Sequence, residues 1–518
     1  MNTPHVAYPS LSSATVEDYL PENVLQRHCL DDLPEQWVLS REAVGPGSWP
    51  EHSIGDWTLR RHPVLPVIDL RDSSGTNLGW LIGYPVTVDG VLQPHGRHIT
   101  VPTDQAGTTG GWLDSLGGRW AAVLVGADQP VVRLDPGGSL PAVFAPGHHI
   151  VASTPHLVPY LAGLEDDHQL VRTMGAPLSR HHGGYPLGLT PRRGVRRLLP
   201  SHDLLLASFE AVRHWPRGDV PIQTDVDEQV RQISALTART IAAFVHAMPC
   251  SLPLTSGRDS RMLLATAREH APELMLFTVR LAGPTGVPDW GSLVDARVGH
   301  EVARRNGLAH RVVPMQPARD EDLDEWVFRT AGMISAPRGW RGATSFKTID
   351  PRRTRLLGTI GELGRARLWQ PDDTPDTVIT PERLLAAARV PVTEQTRAEM
   401  SAWLDDLPTT NAFTTLNAFY LEQTVGCWGS MLPFGDYTGP GFTVFPMNHA
   451  GVVRRMLSLP HDFQRSGALQ EAVIRQAWPE LMGVPFHRDT GIRRAFAAQK
   501  AWHRARRIAQ RWSTGSHG

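Results

Sequence analysis

Lysine is almost missing from this chain: among 51 basic residues in 518, only Lys347 and Lys500 are not arginine. A Walker-type phosphate loop is thereby excluded, because it needs Gly-Lys-Ser/Thr and the single Lys-Thr pair, Lys347-Thr348, follows Phe346. Cysteine is nearly as scarce. Cys29, Cys250 and Cys427 are too few and too scattered for a disulfide framework or a zinc site, which reads as a reducing compartment. No stretch approaches the ~18 uninterrupted apolar residues of a membrane helix, and no basic segment near Met1 leads into an apolar run. The expectation is a cytoplasmic chain with no transmembrane segment. Excess charge is lacking too: 51 basic groups face 52 acidic ones, net −1, so no overall field draws in a nucleic-acid backbone and no nucleic-acid partner is expected. No G-x-G-x-x-G opens a helix after a strand and no H-E-x-x-H occurs, so dinucleotide enzymes and zinc proteases lose their usual support.

What remains is ordinary globular composition, 41% hydrophobic and 20% charged, with 47 Gly and 43 Pro to make turns. The length suits two to four domains. Up to about residue 215, short apolar runs such as 79–86, 120–125 and 131–134 are broken by Gly, Pro and Asp, which predicts strands joined by tight turns. From Val226 the rhythm changes: Val226, Val230, Ile233, Thr237, Ile241 and Val245 recur at helical spacing, and Asp225 with Glu228 predicts a capping box. The polar, Pro-containing stretch 216–224 is the expected linker, giving domains 1–215 and 225–518. Beyond it, strand-like 251–254, 274–280 and 311–314 alternate with helix-like 259–270 and 293–306, which predicts an α/β fold with a parallel sheet. From Pro381, with Thr380 as cap, the chain reads as mainly helical.

The most informative stretch is Leu254-Thr255-Ser256-Gly257-Arg258-Asp259-Ser260-Arg261, small and hydroxylic residues between a short strand and a helix. A helix N-terminus presents unpaired amides and a partial positive charge, so such a turn can cradle phosphate. Asp259 is repelled by a polyphosphate unless a Mg²⁺ ion lies between, which makes it a metal-ligand candidate. A plain helix cap is the competing reading.

This loop resembles the pyrophosphate loop, S-G-G-x-D-S, of the ATP-pyrophosphatase superfamily, and other segments are similar to its asparagine synthetase branch, which includes β-lactam synthetases and lasso-peptide macrocyclases. The segment 118–144, with Trp120, Arg133-Leu134-Asp135 and Gly138, resembles the amidotransferase-like front domain, and Gly194-Val195-Arg196-Arg197-Leu198-Leu199-Pro200 its closing segment. Val444-Phe445-Pro446-Met447-Asn448 and Trp478-Pro479-Glu480-Leu481 resemble the helical end of the synthetase domain. The resemblance implies an N-terminal Ntn-hydrolase-like αββα sandwich followed by a PP-loop synthetase domain. It implies an ATP- and Mg²⁺-dependent ligase that adenylates a carboxylate and lets an amine displace AMP, acting on a small-molecule or peptide substrate.

Carried over by position, the nucleotide would be held by Leu254, Thr255, Ser256, Gly257, Arg258, Asp259 and Ser260, with Thr278 and Gly358, and Arg258 or Arg261 would neutralise developing charge. Several positions depart from the family. Ser256 stands at a family glycine, where a left-handed backbone would disfavour serine. Position 2 is Asn2, not the cysteine of glutamine-dependent members, so no glutaminase is expected and the front domain reads as a relic. In the Gly-rich segment Leu356-Leu357-Gly358-Thr359-Ile360-Gly361-Glu362-Leu363-Gly364-Arg365 only Glu362 is acidic, and it replaces either the metal-binding Asp or the neighbouring Glu, as metal ligand or as base. The family lysine of the C-terminal segment is missing: Arg488 and Lys347 are the candidates to replace it. After Asp489 a basic stretch with Trp502, Ile508 and Trp512 reads as a solvated terminal helix, or as a docking face for a pathway partner or a second copy. Two other readings stay open, a non-catalytic scaffold and a tRNA-modifying adenylating enzyme.

Overall fold

Alternation of side chains along the first half builds two mainly antiparallel sheets that bury each other. A computed structural model describes residues 17–486 except 43, 94–95, 103–108, 176–182, 281–289, 315–319 and 335–345. One sheet has six strands and the other seven, the latter centred on Asn77–Val86 and Gly117–Leu124 paired antiparallel. In these two strands Trp80, Ile82, Ala121 and Val123 join Trp37, Leu39 and Leu59 of the six-stranded sheet in one core. The alternate residues Leu81, Trp120, Ala122 and Leu124 pack on the other face with Trp112, Leu113 and Leu116. Both faces are therefore covered, which is why all of Gly117–Leu124 is buried. Helices of the described front half are short, as in Pro21–Leu25 and His168–Met174.

The helix Val226–Ala247 follows the linker, and Asp225 caps it by accepting from the Glu228 amide at 3.0 Å. The predicted box is only half made, because the Glu228 carboxylate turns outward to Arg231 and Gln232 instead. The second half then forms a five-stranded, wholly parallel sheet in the order His310–Pro314, Met275–Arg280, Cys250–Pro253, Thr354–Leu356, Thr443–Val444. The predicted helix over 259–270 ends earlier than expected, at Thr266, and continues as a 3₁₀ turn containing Pro272, whose ring cannot sit inside an α-helix. The chain is thus mixed α/β with several sheets, one of them parallel. No helix among the described residues is long and apolar enough to cross a membrane.

The two halves are not separate bodies joined by a tether. One hydrophobic cluster runs through both, and Tyr84 stacks on Phe442 at 4.0 Å between ring centroids. Beside it lies a polar junction. Asp135, fully buried, accepts from the amides of Trp120, Gly137, Ser139 and Leu140, from the Ser139 hydroxyl and from Asn448 Nδ2 at 2.6 Å. Asn448 also donates to Gly118 O at 2.7 Å and accepts from the Gly137 amide at 2.8 Å. Asn448→Ala strips these partners from buried groups, and the expected loss is about 2–4 kcal/mol in urea unfolding. Arg231→Ala, on the exposed helix face, is expected to stay within about 0.5 kcal/mol in the same measurement.

Candidate functional site

In the parallel sheet, strand order reverses beside Cys250–Pro253: the next strand in sequence lies on one side, and Thr354–Leu356 on the other. The connections leaving those two strands depart to opposite faces and open a crevice at their carboxyl ends, the place where open α/β sheets take ligands. A cavity of about 760 Å³ lies there. Thr255, Gly257, Asp259 and Ser260 form one wall, and Gly358, Thr359 and Glu362 the other.

The first wall is the loop singled out by sequence. Gly257 is the N-cap of the helix Arg258–Thr266 and brings no side chain to cap it, so the first-turn amides, which have no intrahelical acceptor, stand beside a cavity lined by Gly257, Asp259 and Ser260. The loop is held by its own hydroxyls: Ser260 Oγ accepts from the Thr255 amide at 3.1 Å and lies 3.0 Å from Thr255 Oγ1, which accepts from the Gly257 amide at 3.1 Å. Ser256 is not among the residues with positive φ, so serine at the family glycine position carries no backbone strain. Its amide, at 3.0 Å, and its hydroxyl both donate to Asp295.

The second wall is a 3₁₀ helix, Thr359–Arg365, ended by Ala366 in the left-handed region. Side chains three apart eclipse in such a helix. Gly358, Gly361 and Gly364 therefore share one face and let the turn lie directly on its neighbours: a Cβ at Gly358 would stand 3.2 Å from Asp259 Cβ, and one at Gly361 would stand 2.9 Å from Met262 Cε. The same spacing puts Glu362 and Arg365 on a second common face, turned to Asp259.

There the carboxylates meet. Arg365 Nη2 lies 2.5 Å from Asp259 Oδ2 and 3.1 Å from Glu362 Oε1. Asp259 Oδ1 accepts from Gln470 Nε2 at 3.2 Å, and Glu362 Oε2 accepts from Tyr420 Oη with Arg367 Nε 3.6 Å away. Every oxygen of the pair has a donor, and two guanidinium charges offset two carboxylate charges. As arranged, the pair does not fit the bridging Mg²⁺ that the resemblance implies for Asp259 and Glu362. Among the described residues no group of three or more His, Cys, Asp or Glu side chains is placed to hold a metal ion. Burial pushes the Asp259 carboxyl above its ordinary value of 3.8, against the pull of Arg365. Burial, then the neighbouring Glu362 carboxylate, pushes the Tyr420 phenol well above its ordinary 10.0.

Tyr420 ends the helix Ala412–Tyr420, and the chain continues as a π-helical segment, Leu421–Gly429, which supplies Gln423, Val425 and Trp428 to the cavity wall. The π geometry disturbs the usual carbonyl pairing, and Arg197 from the front half caps Gly426 O at 3.0 Å and Cys427 O at 2.8 Å. The Arg-Arg segment singled out by sequence thus buttresses the far wall.

Other sequence-predicted residues lie elsewhere. Leu254 is buried beneath the loop, and Thr278, fully buried, donates to Leu254 O and lies 2.9 Å from His310 Nε2; both support the loop from behind. Arg258 turns away to Glu471 at 2.7 Å, and Arg261 is buried against the carbonyls of Leu481 and Val484, so neither supplies the expected charge to the cavity. Lys347 pairs with Asp322 at 2.9 Å and Glu325 at 2.7 Å and does not line the cavity. Arg488 and the basic stretch after Asp489 lie outside the described residues. Sequence reading missed Arg365, Arg367, Tyr420, Gln470 and Asp295. A glycine period of three, carrying Glu362 and Arg365 one such period apart, is the signal that finds Arg365.

Because its folded-state pKa is raised, the Asp259 contribution to stability is present below the ordinary carboxyl pKa, where both states are protonated. It is lost as pH rises through the folded value. Asp259→Asn cannot ionise and escapes that loss. The melting temperature of Asp259→Asn minus that of the wild type is therefore expected to grow as pH rises from about 3.5 to about 6. Compared with known proteins, the chain matches no family model and no curated protein.

Proposed function

We propose that the chain is an ATP-dependent carbon–nitrogen ligase. It joins a carboxylate to an amine in a small-molecule or peptide substrate and has no glutaminase activity. One juxtaposition carries this reading: an uncapped helix N-terminus and a hydrogen-bonded Tyr–Glu pair line the same crevice at the reversal point of a parallel sheet. The first is built to receive oxyanions, the second to handle a proton. The resemblance of the loop and of the segments at Gly118, Arg197 and Asn448 to the asparagine synthetase branch supports the same reading, with the front sandwich as a relic of its amidotransferase domain.

In this mechanism a substrate carboxylate oxygen bonds to the α-phosphorus of ATP and the bond to the β-phosphate oxygen breaks, releasing pyrophosphate. The first-turn amides at Arg258, Asp259 and Ser260, with the hydroxyls of Thr255 and Ser260, take up the charge on the leaving diphosphate. The amine then bonds to the acyl carbon and AMP leaves. Glu362, through Tyr420, accepts the proton the amine sheds. Apolar Val390, Leu368 and Trp428 at the other end of the cavity would receive the body of the substrate.

The test is pyrophosphate and AMP release on incubating the full chain with ATP and paired carboxylate and amine panels. Tyr420→Phe keeps the ring but removes the hydroxyl, and is expected to lower turnover about 10²-fold with KM nearly unchanged. No release under any pair, together with no rise in melting temperature on adding ATP, would favour the scaffold reading.

A further inference from the structure

We propose that Arg365 is a resident cation that keeps the Asp259–Glu362 pair closed to free divalent metal. The inference rests on the crevice assigned above, but its test needs neither nucleotide nor turnover. Arg365 does not line the cavity, whereas both carboxylates do, so the guanidinium holds them from beneath. Its place is dictated by the backbone. Glu362 and Arg365 stand three apart in a 3₁₀ helix and must face the same way, and the glycine face presses that helix onto Asp259.

Charge decides the rest. Arg365 and Arg367 together balance the two carboxylates, and a guanidinium cannot shed its proton to make room for a second cation, as a lysine ammonium could. A free divalent ion approaching the pair meets a fixed positive charge a few ångströms away.

The probe is Mn²⁺ alone, followed by electron paramagnetic resonance of the free ion and by the melting temperature of the full chain. Wild type is expected to bind Mn²⁺ weakly. Arg365→Ala is expected to bind at least about tenfold tighter, with a matching rise in melting temperature, and Asp259→Asn in that background should abolish the gain. If Arg365→Ala fails to fold, Arg365→Gln carries the same expectation. Wild type binding Mn²⁺ as tightly as the neutral variants, or a gain that survives Asp259→Asn, would overturn the proposal. Neither outcome bears on whether ATP is cleaved, so a failure here is distinct from a failure of the ligase reading.

Discussion

The buried Asp135 carboxylate is the constraint on which the arrangement of the molecule depends. A carboxylate without water must be surrounded by donors, and five of its six come from the turn that follows the strand Val131–Leu134 and from Trp120. The sixth is Asn448, more than three hundred residues away. Because an unmet acceptor in the interior is costly, the front sandwich fixes where Asn448 stands. Met447, the neighbour of Asn448, reaches the glycine turn of the crevice, where its Sδ would stand 3.1 Å from a Cβ at Gly361, and a Cβ at Gly137 of the front half would touch Ile360 of the same turn. The front half thus helps set the geometry of the other half's cavity.

Much of the fold was legible because local signals agreed with global ones. The run 131–134 is a strand with the predicted bounds, Thr380 caps a helix starting at Pro381, and the strands predicted at 251–254, 274–280 and 311–314 lie within one residue of those observed. The helix ending at Thr266 was misjudged because apolar periodicity persists through a stretch whose proline stops the backbone. In the crevice, the loop at Asp259 was visible since its residues are contiguous. Tyr420, Gln470 and Asp295 were not, since nothing in sequence links a phenol, an amide and a carboxylate on three different helices to a loop they meet only in space. Arg258 and Arg261 show the complementary error: proximity in sequence suggested charge for the cavity, whereas helical geometry turns both away from it.

The near absence of lysine acquires a structural meaning. Arg192, Arg197 and Arg261 are all buried, and each donates mainly to backbone carbonyls, of Leu164 and Pro155, of Gly426 and Cys427, and of Leu481 and Val484. A planar fork with five donors can tie several carbonyls at once, and its charge persists when dehydrated; an ammonium offers three donors and loses its proton more readily. Arginine in this chain is a structural fastener as much as a charge.

The 3₁₀ turn also has a consequence for insertions and deletions. Each residue of such a helix rotates the next by roughly 120°. Losing or gaining one residue between Gly358 and Glu362 would swing the carboxylate and its arginine a third of a revolution, bringing a bulky side chain onto the surface that only glycine can present. The spacing along this turn therefore acts as a fixed gauge: the count of residues cannot change.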